Sequence, residues 1–170
     1  MRKLSRKAQL FFFILPVLVS CKIKNKQVSP GDINAIDLKK GEVVLCGPPD
    51  KQFGTVAFGV SCPAKVKSDF NLAMALLHSF EYDEAEKVFA RIIGEEPGCA
   101  MAYWGVAMCN VHPLWTPPSQ PELEKGAKAI AIARSIDGTP ARETAYINAI
   151  AKFYTDWNTI DHHTRCVNFE

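Results

Sequence analysis

A chain of 170 residues, 48% hydrophobic and 22% charged, has the length of one domain and enough apolar material for a core. Its formal charge of +2 is uneven: Arg2, Lys3, Arg6 and Lys7 are basic, and no acid precedes Cys21. Without residues 1–20 the Lys+Arg total falls by four, from 20 to 16, against 18 acids, so the remaining chain is net −2. No basic stripe occurs beyond that point, which excludes reading the charge as a nucleic-acid footprint.

The first element is MRKLSRKAQLFFFILPVLVSC. A basic start leads into an apolar run over 10–19, too short to span a bilayer, so residues 1–20 read as a secretory signal peptide. Leu18, Val19, Ser20 and Cys21 resemble the lipobox of bacterial lipoproteins. That resemblance implies acylation of Cys21, membrane attachment and a place in the bacterial cell envelope. Several acyl chains, each contributing about 0.8 kcal/mol per buried CH₂, hold a protein firmly to a membrane. Ordinary cleavage or an uncleaved anchor is the alternative.

Residues 21–41 are polar, carry Ser29, Pro30 and Gly31, and read as a lipid-anchored tether. Residues 42–61 contain two β-prone runs, Val43 to Leu45 and 54–60. Gly47, Pro48, Pro49 and Asp50 supply turn chemistry between them, so a small hairpin is expected. Alone it is marginal, so it should pack on the helical region C-terminal to it.

From Val66 the apolar period changes to that of a helix, with Val66, Phe70, Ala73, Met74 and Leu77 on one face. Residues 79–82 break it, and Asp83 is placed to cap a second helix whose apolar side is Ala85, Val88, Phe89, Ile92 and Ile93. Gly94 and Pro97 close that helix. A third spans 100–110 with Tyr103, Trp104, Val106 and Ala107. Four prolines in VHPLWTPPSQPE stop it. Helices are then expected over 122–136, with Gly126, Ala129, Ile130 and Ala133 inward, and over 142–157, with Tyr146, Ile147, Ile150 and Phe153 or Tyr154 inward. Asp161 is an N-cap candidate for a sixth, from His162.

These helix pairs resemble the tetratricopeptide repeat, whose period is about 34 residues. Leu72 and Ala73, then Leu76, stand for its first helix; Ala85 and Phe89, with Pro97 after them, stand for its second. Tyr103, Val106 and Ala107 restart the pattern, with Ala107 34 positions after Ala73. Asp69 stands where an aromatic is usual, and Leu76 and Asn110 replace the usual tyrosine. A plain helical bundle is the rival architecture. LLHSFEYDEA, CAMAYWGVAM, HPLW and RETAYI resemble a group of large secreted bacterial repeat proteins over about 46–170. There the chain continues further, which implies that this one is truncated. The resemblance implies an all-α fold: antiparallel helix pairs in a short solenoid over 62–170, with a concave face for a protein or peptide partner.

Cys46, Cys62, Cys99, Cys109 and Cys166 remain after Cys21, an odd number. Cys62 precedes the first helix and Cys99 the third; in stacked repeats those helices run parallel, which makes Cys62–Cys99 one candidate disulfide and Cys46–Cys62 the other. Cys109, inside a helix, reads as a buried hydrophobe. No C-x₂-C marks a zinc site. His78 and His112 are candidates for a metal or haem site in an envelope enzyme, though their spacing demands none. Arg142, Glu143, Glu81 and Asp83 read as helix-end charges. No nucleophile or phosphate-loop motif occurs, so no catalytic residue, cofactor or resident metal is expected. Trp104, Met108 and Trp115 are candidates for a partner-binding surface, with the core as the alternative for both tryptophans.

Overall fold

The computed structural model describes residues 28–45, 53–112 and 116–170. Among them seven α-helices, one 3₁₀ turn (Ala64–Val66) and no strand occur: α1 (Pro30–Asn34), α2 (Lys67–His78), α3 (Tyr82–Glu95), α4 (Ala100–Cys109), α5 (Gln120–Ser135), α6 (Ala141–Tyr154) and α7 (His162–Phe169). From α2 onward each helix packs on its successor, and α4 also touches α2 and α6. Helices α2, α3 and α4 are joined by three or four residues and so alternate in direction. Helix α6 follows α4, with Tyr146 beside Trp104 and the Tyr154 hydroxyl on the Ala107 carbonyl, so α2, α4 and α6 form one row of parallel helices.

Helix α4 sits at the centre because its sequence is apolar all round. Every residue from Ala100 to Cys109 except Met108 is buried. Phe89 of α3 covers Gly105 of α4, where an added Cβ would lie 2.3 Å from a ring carbon. Tyr154 of α6 covers Gly126 of α5 in the same way, at 2.2 Å. A glycine in one helix thus admits an aromatic ring from the next, and the close approach is what packs the layer. Ala73, Ala85, Phe89, Tyr103 and Ala107 are fully buried, Leu72 is half-buried, and the Pro97 carbonyl accepts from the Tyr103 hydroxyl at 3.0 Å.

Asp161 caps α7 by accepting from the Thr164 N–H at 3.1 Å. Asp83 does not cap α3, which begins at Tyr82. The reason lies at the end of α2. Phe80 turns left-handed (φ 65°), its N–H donates to the Leu77 carbonyl, and the Glu81 N–H donates to the Leu76 carbonyl. That pair of bonds closes α2 and delivers the chain into α3 one residue later. Helix α6 ends at Tyr154, three residues before its expected limit at 157.

Two expectations for the N-terminal third change. The described part of the tether, 28–41, is packed: Ile36 is buried and the Lys39 N–H donates to Glu86 Oε1 at 2.9 Å. Lys39 also pairs with Asp83. Polarity alone read as a tether because the two acceptors that fix Lys39, namely Glu86 and Asp83, lie on α3, more than forty positions away. The described residues of the expected hairpin, 42–45 and 53–61, are not strands; its turn, 47–50, lies outside the described residues. Their backbone groups bond to helix side chains instead of to each other.

Candidate partner-binding face

Residues 53–62 cross the row formed by α2, α4 and α6. The chain lies extended, with Val56, Phe58, Val60 and Cys62 turned inward and residues 55, 57, 59 and 61 exposed. This alternation is that of an extended backbone. Phe58 stands among Phe70 of α2 (centroids 5.9 Å apart), Trp104 of α4 (6.2 Å) and Tyr146 of α6 (5.7 Å). The Arg142 guanidinium lies 5.2 Å from the centre of the Phe58 ring, a cation–π contact.

The backbone of the segment is held by the same helices. The Phe58 N–H donates to Asn71 Oδ1 at 3.1 Å. The Gly59 carbonyl accepts from Arg142. The Ser61 N–H and hydroxyl donate to the two oxygens of Glu143, at 2.6 and 2.7 Å. Glu143 is buried and belongs to the apolar stripe Glu143, Ile147, Ile150, Tyr154 of α6. It stands in the first turn of α6, as the helix-end reading has it, and is also the acceptor for a backbone that has no sheet partner.

Next to this, Cys62 and Cys99 form a disulfide, with Cα atoms 5.2 Å apart. The bond ties the end of the segment to the start of α4. Cys46 lies outside the described residues, as do Cys21 and Trp115. Trp104 is buried beneath Phe58, so it is no open surface; Met108 is half-buried and Tyr146 is 40% exposed.

A second polar centre lies on α3. Glu86, buried, accepts from the Lys39 N–H and Lys125 Nζ, both at 2.9 Å, and from Asn110 Nδ2 at 3.1 Å. Three donors occupy this carboxylate, which clasps α1's flank, α4 and α5 together. Beside it the His112 ring stacks on Tyr82 at 5.4 Å, and its Nε2 lies 3.4 Å from Glu122 Oε1. Burial raises the Glu122 pKa, but hydrogen bonds from the Ser119 hydroxyl and N–H, and the nearby His112, bring it below the usual range. Burial also pushes the Cys109 thiol and the Tyr82 phenol upward. Both therefore stay protonated at neutral pH, and the thiol is no nucleophile.

His78 is exposed at the end of α2 and His112 is engaged as described. Among the described residues no three His, Cys, Asp or Glu side chains gather as a metal site requires. Comparison with protein-family models, with curated proteins and with solved structures finds no match to the chain.

Sequence reading passed over Phe58, Asn71, Arg142, Glu143 and Tyr146 as parts of one site. A visible sign existed for Glu143 and Glu86: each is an acid on an otherwise apolar helical stripe. Phe58 gave none, since its pocket is assembled from three helices distant in sequence.

Proposed function

We propose that the chain is a helical-repeat interaction module of tetratricopeptide type, tethered to a membrane of the bacterial envelope through lipid on Cys21, and that it binds a protein or peptide instead of catalysing a reaction. One observation carries this reading. The row of α2, α4 and α6 grips an extended stretch of chain through its backbone, with Asn71, Arg142 and Glu143, and takes one aromatic ring between Phe70, Trp104 and Tyr146. Side chains that bind a backbone are suited to peptides, because every extended peptide offers the same N–H and C=O groups. The burial of Ala73 and Ala107 at equivalent places on α2 and α4 supports the repeat.

The test uses the full chain, produced in a bacterial host and extracted from its membranes. Intact mass should show acyl groups on the wild type and none on Cys21→Ser. A photo-crosslinking residue at position 146, on the exposed edge of the face, should trap a defined protein or peptide. A folded, lipidated protein that traps nothing at position 146 or at position 108, in the wild type and in a Phe58→Ala chain alike, overturns the interaction reading. An unacylated mass retaining Met1 overturns the anchored location.

A further inference from the structure

In the stretch 53–62, Val60 and Cys62 are buried in the core, whereas residues 53–59 are half-buried or exposed and lie on the helices as a ligand would. The stretch contributes no regular structure. Alternate residues face solvent, and Phe58 itself is only half-buried. The contacts that hold the layer together, Phe89 on Gly105 and Tyr154 on Gly126, lie between helices and do not involve it. Its Phe58 N–H, Gly59 carbonyl and Ser61 N–H are bound by side chains of α2 and α6. Each of these bonds is open to a separate extended peptide, and the aromatic slot is indifferent to whether its ring arrives on this chain or on another.

We infer that residues 53–61 are a built-in occupant of the partner-binding face. The inference rests on the interaction reading above and adds its regulation. The partner is an extended peptide with alternating apolar side chains and an aromatic at the centre, in the pattern of Val56, Phe58 and Val60. It binds when the chain's own segment leaves. The segment is tethered at Cys62, so it competes at an effective concentration on the order of millimolar. The closed state is therefore the resting state, and a partner with the same contacts alone does not displace it. Gly54 and Gly59 flank Phe58; a Cβ at Gly59 would meet Arg142 at 3.8 Å, whereas among the described residues no neighbouring atom lies within 4 Å of a Cβ at Gly54. This leaves the N-terminal part of the segment able to swing out while the helices stay packed.

The experiment titrates a fluorescent peptide with the sequence of residues 53–61 into the full chain. Wild type should show no saturable binding below roughly millimolar peptide. The Phe58→Ala chain, with its own ring removed, should bind the peptide at least about tenfold more tightly. The same peptide with alanine in place of its central phenylalanine should not bind. No binding by a Phe58→Ala chain of unchanged helical circular dichroism overturns the inference, and so does equal binding by both chains. Hydrogen exchange on the wild type covers the case in which Phe58→Ala does not fold. The amides of Phe58 and Ser61 should exchange by local opening, at least about tenfold faster than those of Val88 and Ala102. Equal rates make the segment part of the core and overturn the proposal. Partner capture with the Phe58 and Ser61 amides still protected would leave the interaction reading standing and remove this one.

Discussion

Where α3 meets α4, the contact is a ring over a glycine, so close that a Cβ at Gly105 would stand 2.3 Å from Phe89. Where residues 53–62 meet the same layer, the Phe58 ring still packs on Phe70, Trp104 and Tyr146, but polar contacts are added: a Glu143 carboxylate on the Ser61 N–H and an Arg142 guanidinium on the Gly59 carbonyl. The difference comes from the groups that each kind of chain leaves unsatisfied. A helix bonds its own backbone, so its neighbour needs only matching shape and apolar surface. An irregular stretch keeps its N–H groups, and each must find an acceptor. Glu86 and Glu143, both buried in helices, serve stretches 28–45 and 53–62 respectively. Damage to the two kinds of contact should therefore look different. One should unfold the molecule, and the other should detach a strap from a molecule that stays folded.

The largest effect belongs to the helical layer. Phe89 is fully buried and meets Phe70 edge-on at 5.5 Å. Phe89→Ala should cost about 3–5 kcal/mol of stability. Gly105→Ala forces a methyl group into the ring and should cost about 1–3 kcal/mol. In the double variant the ring is gone and the new methyl group has room, so the combined loss should fall short of the sum. Urea unfolding of the four proteins measures this. Strict additivity would mean that the ring and the glycine do not share the contact.

The disulfide belongs to both regions, since it joins the end of the segment to α4. Its cysteines are 37 positions apart, and closing a loop of that length in the unfolded chain is worth about 3–4 kcal/mol. Cys62→Ser with Cys99→Ser should lower the unfolding temperature accordingly. It should also speed exchange at the Ser61 amide more than at Ala102. Uniform loosening across both would show that the bond serves the layer alone.

Glu143→Ala is the cleanest test of the strap. It leaves the Ser61 N–H and hydroxyl without their acceptor, at a cost of about 1–3 kcal/mol. The loss should appear as faster exchange at Phe58 and Ser61 with the helical circular dichroism unchanged. Glu143→Gln keeps one oxygen for the N–H and should lose less. If Glu143→Ala instead melts α6, the carboxylate holds the helix and not the segment.

The helices were legible because their determinants are local. The face Phe70, Ala73, Met74, Leu77 predicted for α2 is buried as a unit, and Asp161 caps α7 through a bond three residues away. Boundaries shifted where a tertiary or unusual local feature decided them. A left-handed Phe80 gives no turn signal in the sequence, so Asp83 looked like the cap. In the N-terminal third the apolar alternation of Val56, Phe58 and Val60 is real and the chain is extended there. The sequence could not show that its partners are helices instead of a second strand, because Asn71, Arg142 and Glu143 are 13 to 83 positions away from the groups they bind. Trp104, for which the core is the stronger expectation, is buried, and what covers it was not legible for a related reason: the rings of Phe58 and of Tyr146 on α6 come from distant parts of the chain.

The smallest effect lies at α7, where a single cap can be removed by mutation or by acid. Asp161 accepts from the Thr164 hydroxyl at 2.7 Å and from its N–H at 3.1 Å, and these bonds, the hydroxyl's first, hold the carboxyl below its usual range. A carboxyl lowered in the folded state stabilises above its unfolded value of about 3.9 and loses that contribution as the pH falls through the folded value. Asp161→Ala should barely move the unfolding temperature and should speed exchange of the first-turn amides of α7 at neutral pH, by less than about tenfold. Acid should do the same to the wild type below about pH 4 and should do no more to the variant. The spread of the loosening then bears on the comparison. Arg165 of α7 is buried with its guanidinium 4.9 Å from the centre of the Phe153 ring of α6, a cation–π contact between two helices. Fraying confined to the first turn would mean that this contact keeps α7 on the layer without its cap. Fraying that reaches Phe153 would mean that α7, although a helix, is held as the strap is, by its polar bonds.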